Sequence, residues 1–222
     1  MNTMIIKQLI LKDWYFLRVP IIGYLAAGAV SLVLICLGTD AGFFAGLVVL
    51  ITVLIAVGIH LAMSTVVGER KDQTLPFVMS LPISYMEYTT AKILANLLIF
   101  LIPWSAILLA AVALFTIGNA GGVIPFTVLL VTELFASYTL LLAVSVVSES
   151  QSWSIGAMVF GNLFLQAYFY WITHNQSIMG TIKGHVAIWS STAVAILVGE
   201  IALILLLIGL TFFFQARKTD FI

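Results

Sequence analysis

The chain has 222 residues, 63% of them from the apolar set AVILMFWYC and 8% charged, with nine Lys and Arg against nine Asp and Glu. Its mean hydropathy is +1.20. Soluble domains are about 45–50% apolar and about 25% charged, so this composition excludes a soluble globular enzyme, a disordered chain and a collagen-like one. Zero net charge excludes a basic nucleic-acid binder. The composition is that of an integral membrane protein, with membrane lipid as its immediate surroundings. Six spans of about 20 residues take roughly 120 and leave about 100 for ends and loops, so residues 1–222 read as a single transmembrane domain. Cys36 is the one cysteine, which excludes an internal disulfide and a Cys-based metal site.

In chain order, residues 3–17 come first. On a helical wheel Ile5, Ile6, Leu9, Phe16 and Leu17 share one arc, with Lys7, Gln8, Lys12 and Arg18 opposite. This is the pattern of an amphipathic helix lying in the headgroup plane; the alternative is a continuation of the first span. Asp13 falls near the apolar arc, which calls for a partner. No cleavable signal peptide is expected, because the first apolar run starts only after Arg18 and exceeds the length of an h-region. Uncharged intervals then predict spans over 19–38 and 43–67. The uncharged interval that follows Lys92 is too long for one helix and is broken by Gly118-Asn119-Ala120-Gly121-Gly122, giving spans over 93–117 and 124–147. A polar turn at 148–152 leads to a span over 153–173, and a weaker stretch precedes the sixth, over 191–214.

Orientation follows from the bias of Lys and Arg between short loops. With six spans, Lys7, Lys12, Arg18, Arg70, Lys71, Lys92, Arg217 and Lys218 share one side, and Lys183 stands alone on the other. Both termini are therefore expected in the cytoplasm and the chain in the cell membrane. Trp14 and Trp153 at inner ends and Trp171 and Trp189 at outer ends suit interfacial anchoring.

The loop 68–92 is the one long connection on the cytoplasmic side. A charged cluster, Glu69-Arg70-Lys71-Asp72, ends the second span. Leu75, Phe77, Val78, Met79 and Leu81 follow, too few to cross a bilayer. Thr74 can cap a short helix with Pro76 in its first turn, Pro82 stops it, and Ser84-Tyr85-Met86-Glu87 is a capping-box pattern for the next helix. Such an element either lies on lipid or docks into a partner's groove.

Glu69, Arg70, Asp72, Thr74-Leu75 and Ser80-Leu81-Pro82-Ile83-Ser84 resemble the loop between the second and third helices of the six-helix permease subunits of ABC exporters. Leu11-Lys12-Asp13 is similar to the opening of a compact bacterial subgroup of that family, and the six-span topology agrees along the whole chain. Gln73 stands where the family has Gly, and Pro76 where a second acidic residue is common. The resemblance implies a coupling helix seated in a cleft of a separate ATPase. Leu75, Phe77, Val78 and Leu81 would pack in that cleft, with Glu69, Arg70 and Asp72 at its rim and Thr74, Pro76 and Pro82 setting the helix ends. It also implies two cytoplasmic ATPase subunits carrying ATP and Mg, a second permease copy or a paralogue, and a hydrophobic or amphipathic cargo. Members of the compact subgroup that export amphipathic peptides point to a peptide, peptide antibiotic or drug, hence to resistance or immunity.

The chain itself has no phosphate-cradling Gly-x-x-x-x-Gly-Lys-Ser/Thr, no zinc-peptidase pairing of its three histidines and no serine in a nucleophile elbow. No catalytic residue, metal site or cofactor is expected on it. Glu133 and Glu200 fall near the middle of the fourth and sixth spans and His60 in the second. A charge there costs about 2.5–3.5 kcal/mol on the insertion scale, so these groups are expected to face protein or a water-filled path, or Glu133 and Glu200 to be protonated there. With Phe164 and Tyr168 of the aromatic fifth span, they line a translocation path or a subunit contact, or else simply hydrogen-bond between helices to Thr132, Ser137, Thr192 or Thr211. Two other functions remain: a proton-coupled secondary transporter using Glu133 and Glu200, and an intramembrane enzyme, for which no catalytic set is found.

Overall fold

The computed structural model describes residues 3–71 and 85–217, and the regular elements among them are all helical. Six helices are long and apolar enough to cross a membrane. They are α1 (Thr3–Ile35), α2 (Asp40–Ala62) with its π-helical continuation Met63–Val67, α4 (Tyr85–Ile117), α5 (Ile124–Ser148), α6 (Gln151–His174) and α8 (Ser191–Ala216). Two single α-helical turns, α3 (Gly68–Lys71) and α7 (Gln176–Met179), and a 3₁₀ turn, Gly121–Val123, complete the described elements. The chain is thus a multi-pass helical bundle, as its composition requires.

The helix ends follow local chemistry. Thr39 caps α2, its Oγ1 accepting from the Gly42 N–H at 3.1 Å, and Ser190 caps α8 through the Ala193 N–H at 3.1 Å. Pro125 sits in the first turn of α5, where no N–H is needed. Glu149 ends α5 in the left-handed region at φ 58°. Gly122, in the 3₁₀ turn before α5, lets the segment after α7 fold back over the α4–α5 connection. Its N–H donates to the Gly184 carbonyl at 2.8 Å, and a Cβ there would run into the Thr181 and Gly184 carbonyl oxygens.

α1 and α4 are each 33 residues long, about 50 Å at 1.5 Å per residue and some 20 Å more than the hydrocarbon core needs. Residues 3–17, read from sequence as a separate interfacial helix, are instead the first half of an uninterrupted α1. Ile6, Leu9, Asp13, Leu17 and Ile21 form one buried line along this helix, and Ile6 and Leu9 pack with Tyr88 and Ala91 of α4. That line runs past Pro20 without a break, so packing outweighs the one backbone bond that proline removes. Phe16, placed by the wheel on the apolar arc, is 73% exposed.

The helices form two groups of three. α1 packs along α2 and α4, and α5 packs along α6 and α8. The groups join through α5, which also contacts α2 and α4. At this junction Leu129, Leu130 and Val131 are fully buried, and the Tyr138 ring stacks on Phe100 with centroids 4.0 Å apart. Gly58 of α2 passes so close to Tyr138 that a Cβ would lie 2.8 Å from its Cδ2. α5 is the most buried of the six helices, and α6 and α8 are the least.

Candidate functional site

Where α1 begins, α3 ends and α4 begins, four ionisable side chains meet. Lys92 of α4 is 2% exposed, and its Nζ lies 2.8 Å from Asp13 Oδ2 and 2.8 Å from Glu69 Oε1. Lys12 of α1 bonds the same Glu69 oxygen and lies 3.5 Å from Asp13 Oδ1. The Tyr88 hydroxyl donates to Glu69 Oε2 at 2.9 Å, and its ring lies 5.8 Å from Lys92 Nζ. Two cations thus neutralise two carboxylates on three helices, the condition under which buried charge is tolerated. Burial alone would raise the Glu69 pKa, but the Lys92 and Lys12 ammonium groups outweigh it and hold the carboxyl below its ordinary value.

The π-helical turn Met63–Val67 joins α2 to α3, which carries Glu69 to Lys12 and Lys92. Within that turn the Thr65 hydroxyl bonds the Leu61 carbonyl at 2.8 Å and receives the Asn96 amide at 2.8 Å. Asn96 also donates to the Lys92 carbonyl at 2.9 Å, and the Tyr138 hydroxyl donates to the Asn96 carbonyl at 3.1 Å. One buried polar chain therefore runs from the ion cluster through α2 and α4 to α5 in the middle of the bundle.

Of the residues assigned to the loop, Glu69 is in this cluster and Arg70 lies in α3. Asp72, Thr74, Leu75, Pro76, Phe77, Val78, Leu81 and Pro82 lie outside the described residues. Sequence reasoning passed over Lys12, Asp13, Lys92, Tyr88, Thr65 and Asn96 as site residues. Their signal is present nonetheless: Tyr88, Lys92 and Asn96 recur every four residues, so one face of a helix otherwise read as a span start is polar.

A second group sits in the middle of the C-terminal helices. Glu133 of α5 is 3% exposed and takes one hydrogen bond, from the Ser137 hydroxyl at 3.2 Å. Glu200 of α8 accepts from the Tyr168 hydroxyl of α6 at 2.5 Å on Oε1, while its Oε2 is buried with no partner. The two carboxyls lie within electrostatic reach of one another. Glu133, Phe160 and Phe164 line one cavity of about 200 Å³ between α6 and α8. His60 is not part of this group: its Nδ1 is 2.9 Å from the Tyr24 hydroxyl, between α1 and α2. Glu133, Glu200, Phe164 and Tyr168 are thus brought together and His60 is kept apart. Among the described residues no group of three or more His, Cys, Asp or Glu is placed to hold a metal ion. No family model, curated protein or solved structure matches this chain.

Proposed function

We propose that this chain is the transmembrane subunit of an ATP-driven exporter of the ABC type, set in the cell membrane with both termini in the cytoplasm. The observation that carries the reading is the ion cluster formed by residues that flank the loop 72–84 in sequence. Glu69 precedes the loop, Lys92 follows it, and both are bonded to each other and to α1. A force applied to that loop by a docked subunit would reach α1, α2 and α4 together, and through Asn96 and Tyr138 would reach α5. A loop that served only to join two helices would not need four buried or half-buried charges at its base.

On this reading the segment 72–83 is the coupling helix, with Leu75, Phe77, Val78 and Leu81 in the cleft of an ATPase subunit. Two such subunits, loaded with ATP and Mg, work on two permease chains. Nucleotide-driven closure pushes the loops and tilts the helices, and the cargo is hydrophobic or amphipathic. Co-expression with the ABC ATPase chains of the same organism tests this. Wild-type chain is expected to copurify with its ATPase. Leu75→Asp is expected to lose it while keeping its own thermal unfolding midpoint. An ATPase retained equally by both would overturn the coupling assignment.

The grouping of Glu133, Glu200 and Tyr168 favours one other reading, a proton-coupled transporter. Cargo movement in vesicles that contain this chain alone, driven by a pH gradient and lost on Glu133→Gln, would establish it in place of the first.

A further inference from the structure

α6 and α8 both pack on α5 yet make little contact with each other, so a groove runs between them over one face of α5. Its floor is Glu133, Ser137 and Leu140, which recur at the three- and four-residue spacing of one helix face. Its walls are Phe160 and Phe164 of α6 and Leu203 and Leu207 of α8. The Tyr168–Glu200 hydrogen bond ties the two walls together beside it. The groove, open on one side, holds about 200 Å³, somewhat more than the cavity of about 150 Å³ that accepts benzene. The groove opens at the surface of the bundle, where the Phe160 and Phe164 side chains are 60% and 46% exposed.

Its chemistry is lopsided. Apart from the Ser137 hydroxyl and one carboxyl, the lining is hydrocarbon. Glu133 is almost fully buried and takes a single 3.2 Å hydrogen bond, on Oε1 from Ser137. Among the described residues no Lys or Arg lies on α5, α6 or α8 before Arg217. A water cluster is a poor occupant, because each buried water wants two to four polar partners and the walls offer almost none. A purely apolar occupant would leave the carboxyl unpaired. What fits both features is a ligand with an apolar body and one cationic donor.

We propose that the groove between α6 and α8 binds a hydrophobic amine, its ammonium bonded to Glu133 and its apolar body against Phe160, Phe164, Leu203 and Leu207. The ammonium supplies the hydrogen bonds that Glu133 lacks, and the stacked faces of Phe160 and Phe164, 6.4 Å apart at 19°, add cation–π attraction. The volume selects a single aromatic ring with a short chain. As a cargo site the groove rests on the transport reading above; as a binding site it does not, and the test addresses binding alone.

The purified chain is placed in phosphatidylcholine nanodiscs with no ATPase, and empty nanodiscs serve as the blank. The probes are 4-phenylbutylamine and 4-phenylbutanol, which share a skeleton and differ in the charged donor. Saturable binding of the amine at least tenfold tighter than that of the alcohol is expected on the wild-type chain. Glu133→Gln is expected to bring the amine down to the level of the alcohol. Equal binding of the two probes to wild type, which needs no variant, would overturn the proposal. So would tenfold selectivity that survives Glu133→Gln in a monodisperse preparation.

Discussion

Lys92→Met is the substitution that most directly probes the charged end of the bundle. The side chain is replaced by an apolar one of similar length, so little volume is lost. What is lost is the cation 2.8 Å from both Asp13 and Glu69. Removing one partner of a buried ion pair costs about 3–5 kcal/mol, because the other charge stays buried without compensation. Lys12 remains bonded to Glu69 and 3.5 Å from Asp13, which places the expected loss at the lower end, about 3 kcal/mol. For a chain of this length that corresponds to roughly 6–12 °C in unfolding midpoint. Lys12→Met supplies the comparison. Its side chain is 37% exposed, and an exposed ion pair is worth at most about 1 kcal/mol. The pair of variants is compared by thermal unfolding in nanodiscs at pH 7, together with Asp13→Leu and the double variant Asp13→Leu/Lys92→Met. The double variant is expected to be more stable than the sum of the single losses, since it removes the orphaned charge with its partner. Equal losses for Lys92→Met and Lys12→Met, or strict additivity in the cycle, would refute the buried network.

Two further outcomes follow from the same structure. Glu69 has a folded pKa below its ordinary value of 4.5, so its contribution is complete above that value and is lost as pH falls through the lower folded one. The stability gap between wild type and Glu69→Gln should therefore hold steady above about pH 6 and close on acidification below about 4.5; a gap that widens in acid would contradict the assigned partners. Gly122→Ala should cost about 1–3 kcal/mol, because the new methyl meets the Thr181 and Gly184 carbonyl oxygens. Gly156→Ala, with open space around it, should change stability by no more than about 0.5 kcal/mol; equal effects at the two glycines would count against the folded-back segment.

The extent to which the sequence announces this structure differs between its two ends. Span number is legible because hydropathy is a sum over about 20 residues, and one misread position barely alters it. Hence 124–147 and 153–173 fall within a few residues of α5 and α6. The split at residue 18 fails for a different reason. It treats Arg18 as a boundary, whereas Ile6, Leu9 and Asp13 gain their burial from α4, a partner about 80 positions away that no local pattern reveals. Asp13 is the informative exception. A carboxylate on an apolar arc must have a counter-charge, and that much is readable, but its identity as Lys92 is a matter of tertiary packing. In the C-terminal half the same limit applies to Glu133 and Glu200. Helices apolar on every face carry no periodicity that ranks their sides, so the sequence marks both glutamates as costly while only the fold shows Tyr168 bonded to Glu200 and a cavity at Glu133.

The two sites bear on one another through the uneven packing of the bundle. The N-terminal three helices are pinned at their charged end by bonds that cross α1, α3 and α4, whereas α6 and α8 touch little besides α5 and each bury only a narrow stripe. Relative motion within the first group must break buried ion pairs. Motion of α6 against α5 shears apolar contacts and strains only the Tyr168–Glu200 bond to α8, whereas α8 is also held to α5 by the buried bond from Gln215 Nε2 to the Val146 carbonyl. The softer displacement is therefore the one that widens or closes the groove holding Glu133. On the transport reading, a push on the loop 72–84 moves α1, α2 and α4 as a body, and α5 follows through Tyr138 and Asn96. The groove walls then shift relative to a floor that has moved. Rigidity at the charged end and compliance around Glu133 are what such a machine needs, and both follow from where this sequence puts its few charges.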